Sequence, residues 1–208
     1  MKRNQFRAST FVAAGFSILL VCAASATQVR AQNSNQPQPT NTPKMPQTNN
    51  SNAATPAANP SDVSSLDAIL AAVYDVISGP KGKARDWDRF RSLFVPGARL
   101  IPTGKRQAGD VASRVLTVEE FIAASGKFME DEGFVERGVA NHVDTYANIA
   151  QVFSVYEGRR AGDTKPFVRG INSFQFMNDG KRWWVVTIFW QAEDAEHPVP
   201  EKYLKGGK

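Results

Sequence analysis

Three early stretches of the chain repeat apolar residues every three or four positions, the period of an amphipathic helix. The first covers residues 66–77, and a Ser-Gly-Pro sequence ends it. The second is short, with Asp86 as its N-cap and a Val-Pro-Gly sequence at its end. The third opens at Thr117, which has capping-box spacing to a glutamate, and runs to about Met129. The pattern therefore predicts three helices, and a short strand, ARLIP, between the second and the third.

After Gly133 the apolar period changes to two, the period of a strand. Val135, Val139 and Val143 share one predicted face of a half-buried strand, and polar residues occupy the other face. The next segment, IAQVFSVYE, begins at Ile149 and is apolar on both faces, which predicts a central strand.

The last strands are predicted to form a hairpin. Asp179-Gly180 is a strong two-residue turn sequence between the strands at 168–178 and 181–191. This turn fixes a register in which Asn172 faces Thr187. The same register gives a strongly apolar face, which we assign to the interior. Its apolar members are Phe174, Phe176, Trp183, Val185 and Phe189.

Helices followed by a long antiparallel meander imply an α+β layer fold. The order helix, DWDRFRSLFVPGARLI, capped helix, YANIAQVFSVYEGRR and RGINSFQFMNDGKRWWVVTIFWQAE resembles the NTF2-like superfamily, and within it exported SnoaL-like bacterial proteins. The resemblance covers roughly residues 63–193. It implies an NTF2-like cone, a strongly curved antiparallel sheet wrapped on three N-terminal helices, with a pocket at the wide end and frequent dimerisation. That superfamily hosts enzymes, ligand binders and dimerisation modules, so the resemblance predicts the fold and not the activity.

The first 60 residues differ in composition from the rest. Residues 1–26 combine a basic start with an apolar run that ends in small residues, which predicts a secretory signal peptide, with a second possible cleavage after Ala31. Residues 27–60 are rich in Pro, Asn and Gln and predict a disordered linker. We therefore expect export to the periplasm or the medium. The folded domain is predicted at 61–195, followed by a polar tail at 196–208.

The apolar run of the signal is too short for a stable membrane anchor, so we expect no membrane insertion after cleavage. The single cysteine, Cys22, lies in this segment, which leaves the mature chain without disulfides or thiol chemistry. The net charge of +5 arises entirely before Ser61, and the remaining chain carries equal numbers of basic and acidic residues. This balance argues against nucleic-acid binding, which needs a clustered basic surface.

The predicted interior face contains a polar pair that needs an explanation. Asn172 and Thr187 would face each other among apolar side chains, where an unpaired polar group costs on the order of 1–3 kcal/mol. They either satisfy each other and nearby backbone or line a pocket and bind a ligand. Tyr74 lies at the edge of the first helix's apolar face and could bring its hydroxyl to the same cavity. The predicted ligand pocket comprises Tyr74, Asn172, Phe174, Thr187 and Phe189.

The candidates for catalysis are Tyr74 and His142. His142 shares a predicted strand face with Asp144 and Glu136, and a carboxylate-oriented imidazole can move protons near neutral pH. Because the valines occupy the other face of that strand, we expect His142 at the solvent or at a partner surface. No metal-ligand spacing, phosphate loop or cofactor motif is visible, so no metal and no cofactor is expected.

The opposite face of the hairpin pairs Arg169 with Trp190 and Gln175 with Trp184 in the predicted register. Tryptophans with arginine are typical of buried interfaces, which favours a homodimer through this outer face. If this face lined the cone instead, Arg169 would become an anion-binding residue of the pocket.

Three functions remain open at this point. The first is an exported domain that binds a small, largely apolar molecule in its cone. The second is a cofactor-independent lyase, isomerase or hydrolase that uses general acid–base chemistry. The third is a non-catalytic dimerisation or interaction module.

Overall fold

A computed structural model describes residues 55–106 and 109–205. The predicted signal peptide and residues 27–54 of the predicted linker lie outside these ranges. The helices are α1 (Pro60–Val63), α2 (Leu66–Ile77), α3 (Trp87–Ser92), α4 (Val118–Glu132) and α5 (Glu201–Leu204). The strands are β1 (Phe94–Lys105), β2 (Val111–Ser113), β3 (Phe134–Tyr146), β4 (Ile149–Arg160), β5 (Val168–Asn178) and β6 (Trp183–Ala192).

All six strands form one curved sheet in the order β2-β1-β6-β5-β4-β3. The predicted meander from β3 to β6 is confirmed, because each of these strands pairs antiparallel with the next. The strand predicted at ARLIP is longer than expected and runs parallel to β6, and β2 was not predicted. The prediction of an α+β fold is confirmed.

The three predicted helices form where their caps predict. Ser65 accepts a hydrogen bond from the Ala68 amide at the start of α2, and Asp86 accepts one from the Arg89 amide at the start of α3. Thr117 opens α4 with a complete capping box. These signals are local, so they are readable from the chain without its tertiary structure. The short helices α1 and α5 were not predicted.

Helix α2 covers one face of the sheet, called here the inner face, and its apolar residues enter the core. Ile69 and Leu93 are fully buried there, as are Phe174 and Val152 of the sheet. The buried Arg85 side chain fixes the ends of two helices. Its guanidinium donates hydrogen bonds to the carbonyls of Ile77 and Gly79 at the end of α2 and of Met129 in the last turn of α4. Among the described residues, no helix has the length and apolar composition needed to cross a bilayer.

The predicted face assignment of β3 is wrong in its first half. Val139 is an extra residue between the pairs Gly138–Tyr156 and Ala140–Val155, so it forms a β-bulge. Before the bulge Val135 is exposed and Glu136 points to the inner face. After the bulge the directions are reversed, so that odd-numbered residues of β3 point to the inner face and even-numbered residues to the outer face. The bulge therefore places Glu136 and His142 on opposite faces, although simple alternation puts them together.

The predicted register of the last hairpin is also wrong, for two reasons. The turn is longer than two residues, because Asn178 pairs with Trp183. A second bulge at Val186 then separates the pairs Phe176–Val185 and Gln175–Thr187. The bulge shifts the rest of β6 by one residue, which turns each later side chain to the other face.

The C-terminal segment, residues 193–204, lies on the outer face of the sheet, although we predicted a polar tail from residue 196. Tyr203 stacks on Phe153 with ring centroids 5.6 Å apart and meets the His142 ring edge-on at 5.2 Å. Val199 is buried, and its amide donates a hydrogen bond to Glu193. This C-terminal strap therefore covers part of the outer face.

Candidate functional site

Five polar side chains meet on the inner face, between α2 and strands β3, β4 and β5. We call them the interior polar cluster: Tyr74, Glu136, Ser154, Tyr156 and Asn172. Four of them are buried, with relative exposures of 0–6%. Glu136 retains partial exposure. Glu136 is therefore the member of the cluster that is in part open to solvent.

Hydrogen bonds connect four members of the cluster. The Asn172 amide donates to the Tyr74 hydroxyl and to Glu136 Oε1, each at 3.2 Å. Because Tyr74 accepts this bond, its own proton is available for the Ser154 hydroxyl oxygen, 2.6 Å away. Asn172 thus uses both of its amide hydrogens and links the carboxyl group to the phenol.

The environment of Glu136 favours its protonated form. Burial raises the pKa of Glu136 from 4.5 to about 7, and the hydrogen bond from Asn172 opposes part of that rise. The residue keeps partial exposure, yet enough protein surrounds its carboxyl to penalise the charge. A carboxyl that titrates near neutral pH can both donate and accept a proton under physiological conditions.

The two phenols of the cluster remain neutral. Burial raises the pKa of Tyr74 well above its usual value, and the charge of Glu136 adds to that rise. The pKa of Tyr156 is raised for the same two reasons, again with burial as the larger cause. Both hydroxyls therefore act as neutral hydrogen-bonding groups, and Glu136 is the member of the cluster that titrates near pH 7.

Glycines on the inner face let the large rings lie close to the sheet. A Cβ atom on Gly138 would lie 3.1 Å from both the Tyr74 ring and the Ser154 hydroxyl. A Cβ on Gly170 would lie 2.9 Å from the Tyr156 hydroxyl and still closer to strand backbone. Side chains at these positions would push both phenols off the sheet, so the glycines shape the cluster.

One further polar atom faces this region without a partner. Asn141 Oδ1 is buried, and none of the described residues forms a hydrogen bond with it. The position that a Cβ on Gly138 would take lies 3.6 Å from this atom and 3.1 Å from the Ser154 hydroxyl. A buried acceptor without a partner is uncommon in proteins and calls for an explanation.

The structure brings together three of the five residues predicted to line the pocket. Tyr74 and Asn172 share a hydrogen bond, and Phe174 packs edge-on against Tyr74 at 6.0 Å between ring centroids. Thr187 and Phe189 lie on the outer face, because the bulge in β6 reverses their direction. Asn172 pairs with Trp190 and not with Thr187.

His142 and Asp144 do not share a site with Glu136. The His142 ring lies on the outer face under Tyr203, and its Nε2 atom is buried without a hydrogen-bond partner among the described residues. Asp144 is exposed. His142 therefore lies away from the interior, but the strap of the same chain covers it, whereas a solvent or partner surface was expected.

The four residues predicted for an interface divide between the two faces. Trp190 lies on the inner face and packs edge-on against Phe121 of α4. Arg169 forms a two-bond ion pair with Glu193 of the strap, and Gln175 lines an outer groove. Trp184 also lies on the outer face, where the Arg182 guanidinium stacks on its ring.

The outer groove has a volume of about 360 Å³. Its exposed large apolar residues are Phe189, 46% exposed, and Val115, 59% exposed. The complete lining is Ile101, Ser113, Val115, Ser173, Gln175, Thr187 and Phe189. This groove lies on the face opposite the interior polar cluster, so the two are separate features of the domain.

A group of potential metal ligands lies in the strap. Oxygen and nitrogen atoms of Asp194, Glu196 and His197 lie within 4.8 Å of one another. Local contacts account for them: His197 Nδ1 contacts Asp194 at 3.0 Å, and Glu196 pairs with Lys105. These exposed contacts explain the cluster without a metal ion.

Sequence reasoning assigned Glu136 to the wrong face and did not single out Ser154 or Tyr156. Gly138 offered one signal, because a glycine inside a strand often marks a bulge or a close approach. A bulge at this point would have turned Glu136 toward Asn172. The sequence showed that Ser154 and Tyr156 share one face of β4. It did not show which face of β4 the helices cover, so these two residues could not be assigned to the inner face.

Comparison with known proteins gives structural likenesses at low identity. No protein-family model and no curated protein sequence matches the chain. The chain is similar to an NTF2-like family protein from Streptomyces avermitilis, with 14% identity, coverage of 64% of this chain and 97% of that one, and a TM-score of 0.47. It is similar to an NTF2-like protein of unknown function from Silicibacter pomeroyi, with 15% identity, coverage of 62% and 94%, and a TM-score of 0.41.

A third similar structure is a Nostoc punctiforme protein of unknown function with a cystatin-like fold, at 10% identity, coverage of 60% and 86%, and a TM-score of 0.46. Two of these three proteins are described as NTF2-like.

Proposed function

We propose that this protein binds a small molecule at the interior polar cluster and that Glu136 exchanges a proton with it as a general acid–base catalyst. The observation that carries the proposal is the Glu136 carboxyl on the inner face, held at 3.2 Å by the neutral Asn172 amide. Burial raises its pKa to about 7, which suits proton transfer in both directions. This combines the two small-molecule functions that the sequence left open, since binding and proton transfer use the same residues. Export to the periplasm or the medium remains part of the proposal.

The other members of the cluster have distinct roles in this proposal. Asn172 holds Glu136 Oε1 through a neutral hydrogen bond, which fixes one carboxyl oxygen and leaves the other for the ligand. Tyr74 orients Asn172 and remains protonated, so it serves as a hydrogen-bonding group and not as a base. The apolar surroundings, with Phe174 against Tyr74, suit a largely apolar ligand.

The test compares the full chain with two matched carboxyl-to-amide variants on the same strand. Glu136→Gln keeps the shape of the side chain and its acceptor for Asn172 but removes the titratable proton. Asp144→Asn makes the same chemical change at an exposed position. Proteins purified without denaturation are analysed by native mass spectrometry for a retained small molecule, and that molecule is then assayed for turnover.

We expect the wild type and Asp144→Asn to turn the retained molecule over. We expect Glu136→Gln to lose turnover by about 100-fold or more, the usual contribution of a general acid–base group. Unchanged turnover in Glu136→Gln would exclude the catalytic role. A retained molecule that does not contact the cluster in a crystal structure would exclude the site.

A second function is favoured by the outer groove. Phe189 and Val115 expose apolar surface beside polar side chains, which is typical of an interaction site. We propose homodimerisation through this groove as the second candidate, and a Phe189 variant tests it below.

A further inference from the structure

We infer that the ligand of the interior polar cluster carries a basic nitrogen, and that its ammonium group pairs with the Glu136 carboxylate. This inference rests on the proposed function, because it names the substrate class of the same site. It follows from the charge of the cluster, from its hydrogen-bond inventory and from the groups around it.

The first argument is charge. Asn172, the one residue bonded to the Glu136 carboxyl among the described residues, is neutral, and no described Lys, Arg or His forms an ion pair with Glu136. Other acidic groups with restricted exposure in this domain have cationic partners, such as Asp62 with Arg89. A buried carboxylate without a cation is costly, and a cationic ligand supplies the missing partner.

The second argument is the balance of donors and acceptors. Asn172 already uses both amide hydrogens, one on Tyr74 and one on Glu136. Two acceptors have no protein donor among the described residues: the second carboxyl oxygen of Glu136 and the buried Oδ1 of Asn141. The hydroxyls of Ser154 and Tyr156 can each donate as well as accept, so the ionised carboxyl is the group that a cationic donor suits best. An ammonium group offers three donors and no acceptor. A carboxylate or phosphate would add acceptors and a second negative charge.

The third argument is the nature of the surrounding groups. Tyr74 and Tyr156 are neutral phenols that lie close enough to Glu136 for its charge to raise the pKa of both, and the Phe174 ring packs edge-on against Tyr74. Aromatic rings attract cations through their quadrupole and accept apolar ligand bodies equally well. An aromatic or aliphatic amine therefore fits better than a strongly polar polyamine or an acid.

The test uses three probes of one shape and different charge: benzylamine, benzyl alcohol and benzoate. Isothermal titration calorimetry with the full chain at about pH 8, where Glu136 is ionised, measures each affinity. We expect benzylamine to bind about tenfold or more tightly than benzyl alcohol, and benzoate to bind most weakly. Side-chain amide signals of Asn172 in NMR spectra report whether each probe reaches the cluster.

Two variants assign the preference to Glu136. In Glu136→Gln, the ratio of the benzylamine affinity to the benzyl alcohol affinity should fall to about one. In Asp144→Asn the preference for benzylamine should survive. Lowering the pH to about 5 should remove the preference in the wild type, because Glu136 becomes protonated. The other titratable groups facing Glu136, Tyr74 and Tyr156, stay neutral throughout that range because both pKa values are raised.

The outcomes separate this inference from the proposed function. If benzyl alcohol shifts the Asn172 signals but benzylamine binds no more tightly, the amine inference is wrong and the interior site stands. A preference for benzylamine that survives in Glu136→Gln also overturns the inference. If none of the three probes shifts the Asn172 signals, the inference and the proposed site both fail.

Discussion

Ser78 is hydrogen-bonded to the backbone of Glu136: its hydroxyl oxygen accepts the Glu136 amide N–H at 2.9 Å. The same hydroxyl donates to the Tyr74 carbonyl at 2.6 Å. The residue that ends α2 therefore joins the helix turn carrying the phenol to the strand segment carrying the carboxyl. Ser78 is a positioning residue of the interior polar cluster.

Replacing Ser78 with alanine should loosen this connection. Ser78→Ala leaves the Glu136 amide without its partner, and we expect a loss of about 1–2 kcal/mol in the free energy of unfolding. Ser78→Thr retains the hydroxyl and should lose less. Urea denaturation measures both. Equal losses in the two variants would show that the hydroxyl does not make the connection.

The pKa of Glu136 predicts an unusual dependence of stability on pH. Folding raises this pKa from 4.5 to about 7, so the folded state holds its proton more tightly than the unfolded state. The contribution of Glu136 is fully favourable below about pH 4.5, and it is lost as the pH rises to about 7. Glu136→Gln has no titrating carboxyl at this position, so its free energy of unfolding does not fall in this way. The variant should therefore be more stable than the wild type above pH 7, by roughly 3 kcal/mol at most.

Urea denaturation across this pH range checks the prediction. Asp144→Asn serves as the control, because it makes the same carboxyl-to-amide change at an exposed position of the same strand. A wild-type stability that rises between pH 4.5 and 7, relative to Glu136→Gln, would contradict the sign of the shift.

Asn172 is predicted to hold the Glu136 pKa below the value that burial alone would give. Its amide hydrogen bond stabilises the carboxylate, so Asn172→Leu should raise the Glu136 pKa further. The variant should also be destabilised, because the Tyr74 hydroxyl loses a donor. An NMR titration of the Glu136 carboxyl carbon measures the change. An unaltered midpoint would remove Asn172 from the cluster.

The C-terminal strap is predicted to shield one histidine from reagents. Tyr203 covers His142, whereas the His197 side chain is 61% exposed. The chain contains two histidines, so His197 is an internal control. Tyr203→Ala should make His142 react with diethyl pyrocarbonate much faster and leave His197 unchanged, as measured by peptide mass spectrometry. Fast reaction of His142 in the wild type would show that the strap is displaced in solution.

The predicted homodimer can be tested with two aromatic residues on opposite faces. Phe189→Ser should shift a dimer toward monomer in sedimentation velocity without unfolding the domain, because Phe189 is exposed in the outer groove. Trp190→Ala should instead cost about 3–5 kcal/mol of stability, because Trp190 packs inside against Phe121. A wild-type monomer at all concentrations would contradict the dimer.

The sequence predicted the features of this fold that have local causes. Ser65, Asp86 and Thr117 cap their helices through backbone groups three residues away, and alternation defined the strands from β3 to β6. The bulges at Val139 and Val186 were not predictable in this way, because one extra residue changes no local pattern. Each bulge nevertheless reverses every later side chain of its strand.

The candidate site shows the consequence of those two bulges. Tyr74 and Asn172 were selected correctly as interior polar residues, since both lie near apolar positions whose faces were predicted correctly. Glu136 was assigned to the solvent side with His142, and Thr187 was assigned to the interior. Glu136, on which the proposed function rests, was therefore the residue whose side-chain direction depended on how β3 pairs with β4.

The most direct test of the central claim is an NMR titration of the Glu136 carboxyl carbon in the full chain, assigned with Glu136→Gln. A carboxyl that exchanges protons with a ligand at neutral pH should titrate with a midpoint near the expected value of about 7. A midpoint near 4.5, the value of an ordinary glutamate, would show that the carboxyl is solvated and would contradict the proposed role.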